Sequence, residues 1–272
     1  MHLSALDKAR VFRAAYLSGL GGTALTILDV GSAVVDATQR SNRDVMQNPA
    51  WTLIGLDIEP GPNVDVVVAD PYDWTEIATS SVDVVTCSEV FEHAEYVWVT
   101  ILEISRVLKP NGLAFVTSPS SGPLHRFPID CWRFYDDGLP ALARYARLNI
   151  LEAQVQWAPV YRKGVQWRDA SIVLQKPLLP EAAAAAASLR ITMGKLMLKE
   201  DLSPADLLAF GAEGGAGEPS AIPRRDGLGA FAAREAKLAQ TISTSGQKAH
   251  LVLRHLREIA RIVRTPLLDL RF

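Results

Sequence analysis

The chain has 272 residues, 49% of them hydrophobic and 21% charged, with a net charge of −2. That balance supplies a globular core, and it leaves no basic excess that would mark nucleic acid or an anionic membrane as the main partner. Two cysteines, Cys87 and Cys131, are too few for a disulfide framework, so a reduced, cytoplasmic setting is expected.

The opening stretch, MHLSALDKARVFRAAYLSGL, reads as an amphipathic helix over about residues 4–19. Asp7, Lys8, Arg10 and Arg13 interrupt any apolar run there, so it does not read as a signal peptide. No stretch stays apolar for about 18 residues, and no transmembrane segment is expected. Short apolar runs then alternate with helical patterns. The runs are TILDV (26–30), WTLIGLDI (51–58), VDVVVAD (64–70), VDVVTCS (82–88) and LAFVTS (113–118). Helical stretches fall at about 39–48, about 73–79 and 95–109, the last putting Val97, Ile101, Ile104 and Leu108 on one face before KPNG ends it. Strands built almost continuously of Val, Ile and Leu, joined by helices, predict a parallel sheet covered on both faces.

After the fifth run comes a polar and aromatic loop, SPSSGPLHRFPIDCWRFYDDG (118–138), then a helix over 139–147. Two strand-like runs, 148–157 and 169–175, follow without a helical crossover and are therefore expected to pair antiparallel. Composition shifts near Pro180. Residues 1–178 are expected to form one domain and 179–272 a helical extension, with a flexible Gly/Pro-rich loop at about 211–229. Amphipathic helices are expected at 230–242 and 247–263. The second carries Leu251, Leu253, Leu256, Ile259 and Ile262 near one side, which suits a helical cap or a homodimer contact. Its basic polar face would also suit a membrane surface.

In an open α/β sheet the ligand sits at the carboxyl ends of the strands. Here the first run ends in Asp29 with Gly31 beyond it, the second in Asp57, the third in Asp70, and the fourth in Cys87-Ser88-Glu89. Of the three glycines of a dinucleotide loop only Gly31 is present; Ala33 and Val35 stand where the others would fall. A pyrophosphate near Asp29 would be repelled, and a glycine nest has no use without phosphate. The edge suits a ligand with hydroxyls and positive charge: ribose hydroxyls on Asp57, a ring amino group on Asp70, a sulfonium in acidic surroundings. S-adenosylmethionine has all of these and no phosphate. Any one of these aspartates could equally be a helix cap, and it is the set that points to a ligand.

The segments ILDVGSA, GLDIEPG, VADPYDW, VDVVTCSEVFEH and EISRVLKPNGLAFVTSPS, in this order, resemble a class I S-adenosylmethionine-dependent methyltransferase over about residues 24–175. The resemblance implies a Rossmann-like, doubly wound α/β fold of seven strands, mostly parallel with an antiparallel last strand. It implies S-adenosylmethionine as cofactor and S-adenosylhomocysteine as product. Asp29, Gly31 and Ser32 would line the methionyl arm, Asp57 and Ile58 would hold and flank the ribose, Asp70, Pro71 and Tyr72 would meet the adenine, and Ser88 and Glu89 would lie near the transferred methyl. The departure from the pattern is at Ala33 and Val35.

The stretch HRFPIDCWRFYDDG (125–138) is the candidate acceptor loop. Arg126, Trp132, Arg133 and Tyr135 suit a sugar-like acceptor, because aromatic faces stack on pyranose rings and charged groups bridge hydroxyls; Arg133 could instead pair with Asp136 or Asp137. The loop is similar to one in methyltransferases encoded with bacterial surface-glycan and secondary-metabolite enzymes. O-methylation of a sugar, glycan or small metabolite is therefore expected, with His125 as general base, Asp130 orienting it and His93 as the rival base. Glu92, His93, His125 and Asp130 could supply ligands to a divalent ion, as in some sugar methyltransferases, but their spacing forms no metal motif and no metal ligand is assigned. The alternatives are an NAD(P)-binding oxidoreductase, which Asp29 and the missing glycines oppose, and a non-catalytic scaffold of the same fold.

Overall fold

A computed structural model of the chain describes residues 3–34, 40–155, 166–208 and 217–244. The first helix, α1 (Leu3–Phe12), continues as a π turn over Arg13–Leu17 and a 3-10 turn over Ser18–Leu20. There follow β1 (Leu25–Val30), α2 (Asn42–Val45), β2 (Trp51–Asp57), β3 (Val66–Val67), β4 (Val82–Ser88), α3 (Val97–Val107) and β5 (Leu108–Ser118). The second half holds α4 (Gly138–Tyr145), β6 (Asn149–Val155), β7 (Ala170–Gln175), α5 (Glu181–Leu196), α6 (Pro204–Leu208) and α7 (Ala230–Thr244). The seven strands form one sheet in the order β3-β2-β1-β4-β5-β7-β6. Strands β1 to β5 pair parallel, and β7 runs antiparallel to both β5 and β6. This is the Rossmann-like α/β sheet expected of the sequence, antiparallel last strand included.

The near-continuous apolar strands are explained by burial on both faces. Val85, Cys87, Ala114 and Val116 pack with Ile101 and Ile104 of α3 on one face. Val84, Phe115 and Val173 pack with Phe12, Tyr16 and Leu17 on the other. Successive strand side chains point to opposite faces, so a strand covered twice must be apolar at both parities.

Three local expectations are corrected. The helix expected at about 39–48 is, among the described residues, only the four residues of α2, capped by reciprocal bonds between Ser41 and Asp44. The helix expected at about 73–79 is a series of turns. Its backbone is taken up by α3: the Arg106 guanidinium donates to the carbonyls of Trp74 and Ile77, and Glu103 accepts from the Trp74 amide. The third strand pairs over Val66–Val67 only, so Asp70 lies beyond it, exposed, in a turn bridged to Asp73.

Residues 1–231 form one compact unit, and the boundary expected at 178 falls inside it, between β7 and α5. Gly194 of α5 packs on Leu102, where a Cβ would come within 2.5 Å of Leu102 Cδ1. Residues 217–229 of the Gly/Pro-rich segment are irregular but anchored: Ser220 donates to Asp83 at 2.7 Å, the Arg225 amide donates to Gln175, and Ile222 is buried in the core. Residues 211–216 of that loop lie outside the described residues. The second unit, from Ala232, contains the rest of α7; the helix expected at 247–263 also lies outside the described residues. No described helix is long and apolar enough to cross a membrane.

Glu103 is completely buried and carries Arg106 (2.8 Å) and Lys195 of α5 (2.9 Å). Removing one member of a buried pair leaves an uncompensated charge. Arg106→Met is therefore expected to cost about 3 kcal/mol or more of unfolding free energy in urea. Lys195→Met, at the more exposed partner, should cost roughly 1 kcal/mol. Equal, small losses at both positions would show that the pair does not hold the 73–79 segment.

Candidate functional site

The register sets the ends of the first four strands side by side: Asp29 lies opposite Gly55 and Thr86, and Asp57 lies opposite Val67. Asp29 is buried, and its Oδ1 accepts from Thr86 Oγ1 at 2.7 Å and from Asn42 Nδ2 at 3.0 Å. Burial pushes its pKa up to about 6, although those two hydrogen bonds pull the other way. The same Asn42 amide reaches Ser88 Oγ at 3.1 Å, so one side chain joins the ends of β1 and β4. Between Asp29, Asn42, Gly55 and Thr86 the enclosed cavity is about 10 Å³, room for one water. Any larger ligand must meet Asp29 from the rim of the sheet.

Gly31 has a φ of 72°, and a Cβ there would come within 2.2 Å of Val90 Cγ2. Glycine is required on both counts. Its amide and that of Ser32 donate to the Leu56 carbonyl at 2.9 and 3.2 Å, folding the loop over the end of β2. The Ser32 hydroxyl is buried there with no hydrogen-bond partner among the described residues. Asp57 accepts from the amides of Ala33 and Ile58, each at 2.8 Å, which fixes its carboxylate at the partly open rim. Ala33 thus contributes through its backbone; Val35 lies outside the described residues.

Asp70, Pro71 and Tyr72 form a separate turn beyond β3. Asp70 accepts from the Tyr72 amide, and the Tyr72 hydroxyl accepts from the Tyr96 amide, with the two tyrosine rings 5.1 Å apart. Ile58 is exposed next to Asp57. Glu89 takes a left-handed backbone (φ 60°), its amide donating to Thr117 O and its carboxylate accepting from Thr117 Oγ1. A non-glycine residue in that region is strained, and such strain collects at functional edges.

The loop after β5, the candidate acceptor loop, is pinned at both ends. The Glu92 carbonyl accepts from the amides of Cys131 and Trp132, and the Trp167 carbonyl accepts from those of Ser120 and Ser121. His93 and His125, apart in sequence, come together with ring centroids 4.8 Å apart. His125 also packs at 4.5 Å on Trp167, a residue the sequence reading did not single out. Asp130 Oδ2 stands 3.5 Å from His125 Nδ1 and accepts the His125 amide at 2.7 Å. Arg133 pairs with Asp130, not with Asp136 or Asp137, at 2.5 and 2.8 Å, and holds the Asp130 carboxyl well below the usual carboxylate range. The other bonds of Arg133 go to the Trp132 and Pro123 carbonyls, so it orders the loop. Arg126, Trp132 and Tyr135 are exposed. The Trp132 indole N–H donates to Ala94 O at 2.8 Å, which fixes its ring.

A cleft of about 540 Å³, lined by Arg10, Arg13, Ser18, Arg40, Asp44 and Val45 among others, contains none of the predicted site residues. Asn42, Thr86 and Thr117 were missed because Asn and Thr are ordinary residues of caps and strands; only the register shows that they face Asp29 and Glu89.

The raised pKa of Asp29 has a consequence for stability. Its folded value, about 6, lies above the ordinary 3.8, so the folded protein holds this proton more tightly than the unfolded chain. The associated stabilisation is complete below about pH 4 and is lost as the pH rises through about 6. Relative to Asp29→Asn, the wild type is expected to lose roughly 2 kcal/mol of unfolding free energy between about pH 4 and about pH 7. Urea titrations at both pH values check this; parallel behaviour of the two proteins would mean that Asp29 is not desolvated.

Residues 13–116 match the methyltransferase domain family. No curated protein matches the chain. Among solved structures, the chain is similar to the Burkholderia thailandensis 1,6-didemethyltoxoflavin-N1-methyltransferase, with 14% identity, 64% of this chain and 79% of that one covered, and a TM-score of 0.49. It is similar to a chain of the complex between the Haloferax volcanii Trm112 methyltransferase activator and a methyltransferase, with 18% identity, 66% and 91% coverage, and a TM-score of 0.48. A third, an S-adenosylmethionine-dependent methyltransferase from Methanosarcina mazei, shows 16% identity, 57% and 93% coverage, and a TM-score of 0.45. The match to the methyltransferase domain family thus lies on residues 13–116, from the end of α1 to β5 of the seven-stranded Rossmann-like α/β sheet.

Proposed function

We propose that this protein moves a methyl group from S-adenosylmethionine to a hydroxyl of a sugar, a glycan or a small secondary metabolite. The observation that carries the reading is the alignment of two oriented carboxylates, Asp29 and Asp57, at neighbouring strand ends, with a histidine pair on the loop after β5. Asp57, aimed by two amides, keeps lone pairs for ribose hydroxyls, with Ile58 beside it. Asp29 and Gly31 line the methionyl arm, and the buried Ser32 hydroxyl is a group that such a ligand would satisfy. Asp70, Pro71 and Tyr72 take the adenine end; Ser88 and Glu89 border the methyl.

When bound, the sulfonium supplies an activated methyl on a good leaving group. The protein's own residues have two tasks: alignment of the acceptor and removal of its proton. With that group bound, the chain's own part would be to take the acceptor's hydroxyl proton onto a base. His125, with Asp130 behind its Nδ1, is assigned that role, and His93 is second. Oxygen is favoured over nitrogen or carbon because an alcohol needs such a base, and a positioned base contributes on the order of 10²–10⁴-fold. Arg126, Trp132 and Tyr135 present the exposed faces of the loop to the acceptor, while Arg133 shapes it through Asp130. The amphipathic pattern of 247–263 supports an assembly role for the segment 179–272, as a homodimer contact.

S-adenosylhomocysteine should bind the wild type at equilibrium, and NAD(P) should not. Asp57→Ala should weaken that binding by about tenfold or more, the scale of a lost charge-assisted pair. His125→Ala should leave it near wild type and lower turnover on a hydroxyl acceptor by at least about tenfold. A folded protein that ignores S-adenosylhomocysteine would remove the cofactor assignment; undiminished turnover would remove His125 from the chemistry.

A further inference from the structure

The imidazole of His125 is met by a residue from outside its own loop. Its ring centroid lies 4.5 Å from that of Trp167, closer than the 4.8 Å to His93 and the 6.0 Å to Phe127. Phe127 is exposed, whereas Trp167 is half-buried, in the turn just before β7. Trp167 is in turn fixed by its surroundings, backbone and side chain alike.

Three consecutive carbonyls, those of Gln166, Trp167 and Arg168, take donors from the start of the loop after β5. The Ser120 and Ser121 amides donate to Trp167 O, each at 3.0 Å. The Ser120 hydroxyl donates to Arg168 O at 2.6 Å, and the Ser121 hydroxyl to Gln166 O. Asp169 follows, completely buried and tied to α1: Ser4 Oγ donates to its carboxylate, and Lys8 Nζ to its carbonyl at 2.9 Å. The indole is then clamped between loop residues. Gly122 (φ 116°) lies against its six-membered ring, where a Cβ would come within 2.2 Å of Cε3 and 2.5 Å of Cζ3. Glycine is needed there for close approach as well as for φ. On the indole the Arg133 guanidinium carbon stands 5.9 Å from the ring centroid, within reach of a cation–π contact, and Asp130 holds Arg133. Asp130 Oδ2 also faces His125 Nδ1 at 3.5 Å. The His125 ring thus has Asp130 at one nitrogen and the indole beside it, and Arg133 joins the two supports.

We propose that Trp167 is the positioning residue of His125, a buttress that keeps the imidazole in one orientation and takes no part in the chemistry itself. The placement is read from the geometry; its effect on turnover rests on the proposed role of His125 as base. A misplacement of about an ångström can cost on the order of 10²-fold in rate, so an imidazole free to rotate loses effectiveness while cofactor binding stays as it was.

The test uses the full chain with its histidine rings carbon-13 labelled at Cε1. The His125 signal is identified by its loss in His125→Gln. In the wild type its Cε1–H vector should be as ordered as rigid backbone, with an order parameter near about 0.85, and should fall below about 0.6 in Trp167→Leu. Loss of the indole's ring current should move the same proton signal. Trp167→Phe, which keeps an aromatic face, should recover most of the order. On a hydroxyl acceptor that the wild type methylates, Trp167→Leu should lower kcat by about tenfold or more, with S-adenosylhomocysteine affinity near wild type and most of the loss restored in Trp167→Phe. Thermal unfolding of each variant is followed first. Should Trp167→Leu not fold, Gly122→Ala carries the test, because its Cβ displaces the indole and should loosen His125 with the tryptophan still present. A His125 ring as ordered in the folded variant as in the wild type overturns the proposal, and so does undiminished kcat. A wild type that ignores S-adenosylhomocysteine, with a His125 ring that loosens in Trp167→Leu, leaves the buttress standing and counts against the methyltransferase reading alone.

Discussion

A carboxylate leaves water only if donors are brought to it, and that constraint organises this protein. Asp29, Asp83, Glu92, Glu103 and Asp169 are all buried. Each is satisfied by groups from elsewhere in the chain. Asp29 draws Asn42 and Thr86; Asp83 draws the Thr26 amide, Lys109 and Ser220; Glu103 draws Trp74, Arg106 and Lys195; Asp169 draws Ser4. An ion left unpaired in the interior costs several kcal/mol, so these side chains act as obligatory junctions. The elements they join are those a chemical site must hold in register: the ends of β1 and β4, the turn after β3, and the helix between β4 and β5.

The same constraint explains why the 73–79 segment is not a helix. Its composition permits one, but helix formation spends carbonyls on amides four residues on. Here two of those carbonyls accept from the buried guanidinium of Arg106, whose other hydrogen bonds go to Glu103 and Thr79. Arg106 is a stronger donor than a backbone amide, and its demand is met first. Tertiary satisfaction of a buried charge outweighs a local preference of a few tenths of a kcal/mol per residue.

How much could be read from the sequence follows from this. The strands were legible because burial on both faces demands runs such as VDVVTCS, and the antiparallel end because the runs 148–157 and 169–175 follow one another without a helical pattern between them. Gly31 was legible because it is the one position in its loop where both φ and space exclude a side chain. Partnerships were not. Arg133 has carboxylates at Asp130, Asp136 and Asp137, three before it and three and four after, and spacing alone cannot choose among them; the loop's path past Pro123 does. Ile222 and Phe231 are single apolar residues in irregular sequence, without a period to mark them, yet both are buried in the sheet's core. Asp70 was placed at a strand end because VDVVVAD looks like one strand, but only two of its residues find a partner on β2.

The histidine pair shows the constraint working at the site. Glu92 takes the Ser118 hydroxyl on one oxygen and faces His93 Nε2 with the other. His93 in turn is held at its Nδ1 by the Ile129 carbonyl. Around it the chain has spent rigid contacts: two amides of the acceptor loop on the Glu92 carbonyl, two on Trp167, and a bidentate Arg133–Asp130 pair. Such anchoring is of little use to a loop that merely closes the surface. It fixes the rotamers of His93 and His125 against the end of β4, where alignment to within about half an ångström governs reactivity. The histidine pair is thus held by the same device as the rest of the chain, polar groups from distant segments brought to one buried carboxylate.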